Sequence, residues 1–379
     1  MAETPAPATV GMAIEDVDTP ALLIDLDAFE RNLGRMADAI AGSGAKLRPH
    51  SKTHKCPVVA LRQMDHGAVG VCCQKVGEAE AMVYGGVGNV LVSNQIVGAP
   101  KLMRLAALAR QAKIGVCADD AGNVADLDDA AAAAGVVLDV LVEIDVGAER
   151  CGVSPGAPAL ALAQAIDSAD NLRFAGLQAY HGRSQHIRAY GDRQAAAESA
   201  IALTTETISL LSNSGLECDI VGGAGTGTYQ FEAASGVYNE LQAGSYVFMD
   251  VDYGKNKAED GKAYADFENS LFVYATVMSR VTDDRAMLDA GLKALSVDSG
   301  MPRLWEVPDV EFVGASDEHG KLLIGGAAAG GNRDLKVGDK VRIVPGHVDP
   351  TVNLYDWYVG IRNGRVESLW PITARGMLR

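Results

Sequence analysis

The chain has little of what marks several large protein classes. It has 33 Lys and Arg against 49 Asp and Glu, so at a formal net charge of −16 it lacks the basic surface that nucleic acids require. Its six cysteines include no C-x-x-C pair and no zinc-ribbon spacing, which indicates the reduced thiols of a cytoplasmic protein. No apolar run approaches the ~20 residues that cross a bilayer, and residues 1–10 lack the basic start of a signal peptide. We therefore expect a cytoplasmic protein with no nucleic-acid and no membrane partner.

The glycine-rich segment 222–228 lacks the signatures of common nucleotide sites. No Gly-Lys-Ser/Thr follows it, and it is not a Gly-x-Gly-x-x-Gly turn after a first strand, so ATP and NAD are disfavoured. Backbone N–H groups in such a turn, together with threonine hydroxyls, can hold an anion. A second Gly-Ser step at Gly244 and Ser245 could complete a phosphate cup.

The order of apolar runs predicts an α/β fold. Short β-like runs alternate with alanine-rich amphipathic segments, and the runs are 21–26, 46–52, 68–74, 89–94, 113–118, 138–146, 174–180 and 219–223. Eight strands alternating with helices predict a (β/α)8 barrel over residues 20–255, with a doubly wound open sheet as the competing architecture. Turn signals and β-like runs after residue 253 predict a second, C-terminal β-rich domain over 256–379.

The segment 48–55, RPHSKTHK, ends the second predicted strand. Alternation along a strand would direct His50, Lys52 and His54 to one face. Cationic neighbours lower the pKa of a lysine, and only the neutral amine attacks a carbonyl, so Lys52 suits a Schiff base. The alternative is a basic strand end that binds a substrate carboxylate or phosphate.

Polar residues collect just after the predicted strands, where barrel enzymes place their chemistry. They are Lys52, His54, Gln74, Asn94, Asp145, Arg150, Tyr180, His181 and His186. An amine on one side of a barrel mouth and a glycine cup on the other fit pyridoxal 5′-phosphate. His347 and Asp349, two apart, would face the same way on an extended segment and could hold a divalent ion, although a solvent-exposed turn is the alternative.

Six motifs resemble those of the D-threonine aldolases, alanine-racemase-like pyridoxal phosphate enzymes related to D-serine dehydratases and 3-hydroxy-D-aspartate aldolases. The motifs lie at 48–55, 71–75, 143–153, 176–182, 240–246 and 347–351, and the likeness runs from about Asp18 to the C-terminus. It implies that residues 1–19 complete the second domain. It also implies a homodimer whose active sites lie between the barrel of one subunit and the β-domain of the other.

The resemblance also assigns roles to individual residues. Lys52 would carry the Schiff base, and His347 with Asp349 would bind Mn2+ or Mg2+. The other cofactor-binding residues would be Gln74, Arg150 and Tyr180 around the pyridine ring and Gly225, Thr226, Ser245 and Tyr246 at the phosphate.

These roles predict a lyase that cleaves D-β-hydroxy amino acids of the D-threonine type to glycine and an aldehyde. The cation would lower the pKa of the β-hydroxyl, and His186 would remove its proton. The alternative is β-elimination of the D-serine or 3-hydroxy-D-aspartate dehydratase type, but a hard carboxylate at Asp349 suits Mg2+ or Mn2+ and favours aldol cleavage. A non-catalytic pyridoxal phosphate carrier would lack the second domain, and a metal-dependent hydrolase would leave Lys52 unexplained.

Overall fold

A computed structural model describes residues 5–325 and 335–379, so the predicted segment 1–19 is seen from residue 5 onward. The strands are β1 (Ala21–Asp25), β2 (Lys46–Leu47), β3 (Val71–Cys73), β4 (Asn89–Gln95), β5 (Lys113–Ala118), β6 (Leu138–Glu143), β7 (Leu172–Gln178), β8 (Ile220–Gly223), β9 (Glu240–Leu241), β10 (Leu271–Thr282), β11 (Arg285–Leu288), β12 (Arg303–Leu304), β13 (Val310–Ala315), β14 (Gly320–Ile324), β15 (Lys340–Val344), β16 (Trp357–Arg362) and β17 (Arg365–Pro371). The α-helices are α1 (Leu26–Ile40), α2 (Pro57–Asp65), α3 (Val76–Tyr84), α4 (Ala99–Leu108), α5 (Ala121–Ala134), α6 (Ala157–Asp167), α7 (Tyr190–Asn213), α8 (Tyr229–Ala234), α9 (Val251–Gly254) and α10 (Val348–Val352).

Eight parallel strands form a closed barrel. Their order is β2-β9-β8-β7-β6-β5-β4-β3. The two ends of this sheet meet, because a parallel bridge joins His50 to Cys72 and the Cys72 N–H donates to the Pro49 carbonyl at 2.9 Å. The predicted α/β barrel is confirmed, and the doubly wound alternative is wrong.

One layer of side chains fills the barrel interior. Its members are small or aliphatic and come from successive strands: Cys72, Leu91, Cys117, Leu141, Ala175 and Ile220. Neighbouring residues such as Cys73, Val90 and Val92 belong instead to the larger core under the helices. Strands buried on both faces read as continuous apolar runs, which is why they could be found in the sequence. All six cysteines are free thiols, and four of them are buried, as predicted.

Helix α1 shows how the sequence fixes one of the surrounding helices. The Asp25 carboxylate caps it by accepting from the Ala28 N–H at 3.0 Å. Its buried apolar side chains recur every three or four residues, at Leu26, Phe29, Leu33, Met36 and Ile40. Each such side chain contributes about 1.5–3 kcal/mol when it is removed from water. The apolar stripe therefore docks α1 on the core.

The second sheet has nine strands. Seven follow the order β13-β14-β11-β10-β1-β16-β17, while β15 pairs with β10 and β12 pairs with β15. The predicted β-rich C-terminal part is confirmed as a fold element. The bounds 20–255 and 256–379 plus 1–19 remain predictions.

One predicted barrel strand was wrong, and one barrel strand was missed. The run 21–26 is not a barrel strand, since β1 pairs antiparallel with β10 and parallel with β16 in the second sheet. Its residues 21–24 are all buried, so the run has the same apolar pattern as a barrel strand. The eighth barrel strand is β9, whose two residues are too few to show a periodicity.

The run 46–52 is also shorter than predicted. Strand β2 ends at Leu47, and Ser51–Thr53 form a 3-10 helix in which the His50 ring accepts from the Lys52 backbone N–H at 3.3 Å. The alternation argument for His50, Lys52 and His54 therefore does not hold.

Buried Arg48, just after β2, forms an ion pair with Glu240, which is largely buried. The Arg48 guanidinium binds both carboxylate oxygens of Glu240, at 2.5 and 2.9 Å, and also Asn89 Oδ1 at 2.9 Å. Glu240→Gln would leave Arg48 as an uncompensated buried charge, so we expect a loss of about 3–5 kcal/mol in the free energy of unfolding. Denaturant titration measures it, with Glu318→Gln in the exposed Lys293–Glu318 pair as the control that should leave stability nearly unchanged. Equal losses in the two variants would contradict this expectation.

Among the described residues, no helix has both the length and the apolar character needed to span a membrane.

Candidate active site

A cavity of about 350 Å³ lies where the chain leaves the carboxyl ends of the barrel strands. Eight of the predicted site residues line it: Lys52, Gln74, Arg150, Tyr180, His186, Gly225, Thr226 and Ser245. The other lining residues are His50, Thr53, Ser93, Ala148, Gln178, Gly182, Arg183, Gln242, Gly244 and Tyr253. Tyr246, His347 and Asp349 are not part of this wall.

The charges on the cavity wall have one sign. Lys52, Arg150 and Arg183 line it, and no aspartate or glutamate does so within the described parts of the chain. This contrasts with the net charge of −16 for the whole protein. A cavity of this composition favours an anionic ligand.

Lys52 reaches across to the predicted metal motif. Its Nζ atom contacts Asp349 Oδ2 in a short ion pair. Desolvation alone would lower the pKa of Lys52, but the Asp349 carboxylate and then Tyr180 outweigh it, so the pKa is raised. The predicted lowering of this pKa by cationic neighbours is therefore wrong.

One reason that this prediction about the Lys52 pKa fails is that His50 is not a cation. Burial, followed by the charge of Lys52, holds the pKa of His50 well below its usual value, so the imidazole is neutral. Its Nε2 atom lies 2.9 Å from the Gln74 amide nitrogen and 3.2 Å from the Ser93 hydroxyl. His50 is thus a polar wall of the cavity and not a cation beside Lys52.

Arg150 lies over the ring of Tyr180 in the cavity wall. The guanidinium carbon of Arg150 lies 5.6 Å from the centre of the Tyr180 ring. An Arg150 nitrogen is also 3.9 Å from the nearest oxygen of Glu143, at the end of β6. A flat aromatic cofactor in this cavity would therefore meet a planar cation and an aromatic ring.

The glycine-rich turn after β8 forms a tight cradle. A Cβ atom on Gly225 would lie 2.5 Å from Gln185 Oε1, and one on Gly244 would lie 2.8 Å from the His50 carbonyl. The Thr226 hydroxyl is buried and has no hydrogen-bond partner among the described residues. A close backbone approach and a free hydroxyl fit an anion such as a phosphate.

The side chain of Tyr246 packs in the core and does not reach the cradle. It is buried in the core, and its hydroxyl accepts a hydrogen bond from the Gln63 amide at 3.2 Å. The structure therefore brings Ser245, but not the Tyr246 side chain, to the cradle.

His186 is oriented by a carboxylate. Its Nδ1 atom donates to Asp252 Oδ2 at 2.6 Å, which leaves Nε2 free to accept a proton. Although burial would raise the pKa of Asp252, hydrogen bonds from Arg188 and His186 hold it below its usual value. Asp252 was missed in the sequence because it lies 66 residues beyond His186 and the contact forms only in the fold.

His347 and Asp349 do not lie on an extended segment. His347 precedes α10 as its N-cap, and Asp349 lies in the first turn of that helix. Burial would raise the pKa of Asp349, but Lys52 and His347 lower it to about 2. The second oxygen, Oδ1, is buried without a hydrogen-bond partner among the described residues.

These two residues could hold a divalent cation only with help from other ligands. Within residues 5–325 and 335–379 no group of three or more His, Cys, Asp or Glu side chains is arranged to bind a metal. The free Asp349 oxygen is nevertheless a hard donor that suits Mn2+ and Mg2+, and a neutral imidazole is a common metal ligand. Water or substrate oxygens would have to complete the coordination.

Comparison with known proteins identifies both parts of the chain. Residues 24–252 match the family described as alanine racemase, N-terminal domain. Residues 270–361 match the family described as putative serine dehydratase domain.

Three full-length relatives agree with these matches. The 3-hydroxy-D-aspartate aldolase of Paracoccus denitrificans (strain Pd 1222) is 47% identical, over 98% of this chain and 95% of its own. The crystal structure of D-threonine aldolase from Filomicrobium marinum superposes with a TM-score of 0.94 at 52% identity, covering 99% of this chain and 100% of that one. A D-threo-3-hydroxyaspartate dehydratase mutant in the metal-free form is 28% identical with a TM-score of 0.83, covering 95% and 98% of the two chains.

The resemblance seen in the sequence is thereby confirmed. The chain belongs to the family of D-threonine aldolases and 3-hydroxy-D-aspartate aldolases, carbon–carbon lyases with the alanine racemase fold.

Proposed function

We propose that this protein is a pyridoxal phosphate- and divalent cation-dependent aldolase that cleaves D-β-hydroxy amino acids of the D-threonine type to glycine and an aldehyde. The observation that carries the proposal is the contact between Lys52 Nζ and Asp349. It joins the only lysine of the described cavity wall to the motif proposed for the cation. A substrate held by the cofactor would then have its β-substituent beside the cation.

The cavity supports the cofactor assignment. Lys52 would bond the cofactor aldehyde, and the cradle at Gly225, Thr226 and Ser245 would hold its phosphate. Gln74, Arg150 and Tyr180 would surround its ring. When bound, pyridoxal phosphate supplies an electron sink for the carbanion left at Cα.

His186 and the metal motif would act on the β-hydroxyl. His347 and Asp349 would hold Mn2+ or Mg2+, and a bound divalent cation lowers the pKa of a hydroxyl that binds to it. With Nδ1 held by Asp252, His186 lines the cavity with Nε2 as its available nitrogen, and it would take the hydroxyl proton. Proton removal and cleavage of the Cα–Cβ bond would then release the aldehyde, and uptake of a proton from water at Cα would give glycine.

β-Elimination is the second candidate. It is favoured by the match of residues 270–361 to a serine dehydratase domain. The higher identity to aldolases, 47% and 52% against 28% for the dehydratase, favours aldol cleavage.

We also propose a homodimer in which the second domain of one subunit borders the barrel of the other, as the resemblance implies. Lys52 and Asp349 meet within one chain, so the cofactor lysine and the cation motif do not depend on the partner for their contact. Light scattering at assay concentration tests the assembly, and a monomer with full activity would contradict it.

The products and the metal requirement test the proposed reaction. With D-threonine or another D-β-hydroxy amino acid we expect glycine and an aldehyde, and EDTA should lower the rate by about 10²-fold or more, reversibly on adding Mn2+. Asp349→Ala should keep the yellow colour of the bound cofactor and lose the response to Mn2+. Ammonia and a keto acid as products would establish elimination instead, and a rate indifferent to EDTA would exclude the cation.

A further inference from the structure

His347 is held by a carboxylate that lies 49 residues earlier in the chain. Its Nδ1 atom is 2.8 Å from Asp298 Oδ2. Because an ionised carboxylate only accepts hydrogen bonds, Nδ1 carries the proton and donates it. The remaining ring nitrogen, Nε2, is then the one with a lone pair to offer a metal.

Both carboxylate oxygens of Asp298 accept a hydrogen bond from a neighbouring serine. The Ser296 hydroxyl donates to Oδ1 at 2.6 Å, and the Ser299 hydroxyl donates to Oδ2 at 3.1 Å. The Ser299 hydroxyl also lies 3.3 Å from His347 Nδ1. The carboxylate therefore has one preferred orientation toward the imidazole.

The loop that carries Asp298 is docked against the start of α10. A Cβ atom on Gly346 would lie 2.0 Å from the Gly300 carbonyl, so only glycine permits this approach. The Ser296 N–H donates to the Thr351 hydroxyl at 3.2 Å, and that hydroxyl donates to the His347 carbonyl at 2.8 Å. These contacts hold Asp298 and His347 next to each other independently of the contact between their own side chains.

We propose that Asp298 is a positioning residue for the divalent cation, which fixes the tautomer and ring orientation of His347 so that Nε2 serves as the ligand atom. This inference rests on the proposed function, because it assumes the cation site at His347 and Asp349. A carboxylate behind a ligating histidine raises the basicity of the imidazole, and loss of such a partner costs roughly 10–100-fold in metal affinity. Asp298 would touch neither substrate nor cofactor.

Mn2+ binding to the pyridoxal phosphate-loaded protein tests the inference directly. Free Mn2+ is followed by its electron paramagnetic resonance signal during titration of wild type, Asp298→Ala and Asp298→Asn. We expect the dissociation constant of Asp298→Ala to rise roughly 10–100-fold and that of Asp298→Asn, which keeps an acceptor oxygen without the charge, to rise less. The absorbance of the bound cofactor should be the same in all three, and turnover should recover at saturating Mn2+.

Glu318→Ala is the matched control, since it removes one exposed carboxylate of the second domain that pairs with Lys293. Its Mn2+ affinity should equal that of the wild type. An unchanged dissociation constant in Asp298→Ala, with wild-type binding intact, would overturn the role of Asp298 alone. A wild type that binds no Mn2+ would overturn both this inference and the proposed cation dependence.

Discussion

Lys52→Ala is expected to abolish turnover and the visible absorbance of the covalently held cofactor. Lys52 is the only lysine among the described residues that line the cavity, so no other amine there can replace it. An added primary amine, such as methylamine, should restore a small part of the rate if the missing function is the amine itself. The measurements are the absorption spectrum after loading with pyridoxal phosphate and the rate of glycine release.

Lys55→Met separates this role from that of the second lysine in the same segment. Lys55 Nζ lies 3.0 Å from Glu78 Oε1 in a buried ion pair, and it does not line the cavity. Its removal leaves Glu78 buried without its cation, so we expect a loss of about 3–5 kcal/mol in stability. The cofactor absorbance should persist. Loss of the colour in Lys55→Met but not in Lys52→Ala would reverse the assignment.

His186→Asn should lower kcat by about 10²–10⁴-fold, the usual contribution of a general base. The amide that replaces the imidazole could still accept a hydrogen bond but could not take up a proton. The cofactor absorbance and the Mn2+ dissociation constant should stay at wild-type values, because His186 belongs to neither proposed binding set. Steady-state kinetics with saturating Mn2+ measure the effect.

Asp252→Asn is the companion variant for His186. It removes the charge that holds Nδ1, and we expect a smaller loss of kcat than in His186→Asn. The two losses should not add in the double variant, because Asp252 acts through His186. Full activity in His186→Asn would assign proton removal to another group.

The barrel could be predicted because its strands are buried on both faces. The strands β4, β5 and β6 each have an apolar centre, at 90–92, 114–118 and 140–142, and helices separate them, so their number and order are visible in the sequence. β1 has the same pattern but pairs with β10, since hydrophobicity reports burial and not the identity of the neighbouring strand. β9 was missed because a strand of two residues is too short to show an alternation of apolar and polar side chains.

The site could be predicted in part for a related reason. Side chains at the carboxyl ends of barrel strands converge, so the polar residues after the predicted strands were expected to meet at one end of the barrel. That Gln74, Arg150 and Tyr180 would surround one ring was implied by the family resemblance. The raised pKa of Lys52 was not predictable, because its cause is a carboxylate 297 residues away. The carboxylates behind His186 and His347 come from equally remote segments and leave no local signal.

Borohydride reduction of the pyridoxal phosphate-loaded protein, followed by peptide mass spectrometry, tests the central claim most directly. Reduction converts a Schiff base to a stable secondary amine and so marks the lysine that formed it. We predict a phosphopyridoxyl adduct on Lys52. An adduct on Lys55 or elsewhere, or no adduct in a protein that releases glycine from the substrate, would contradict the account.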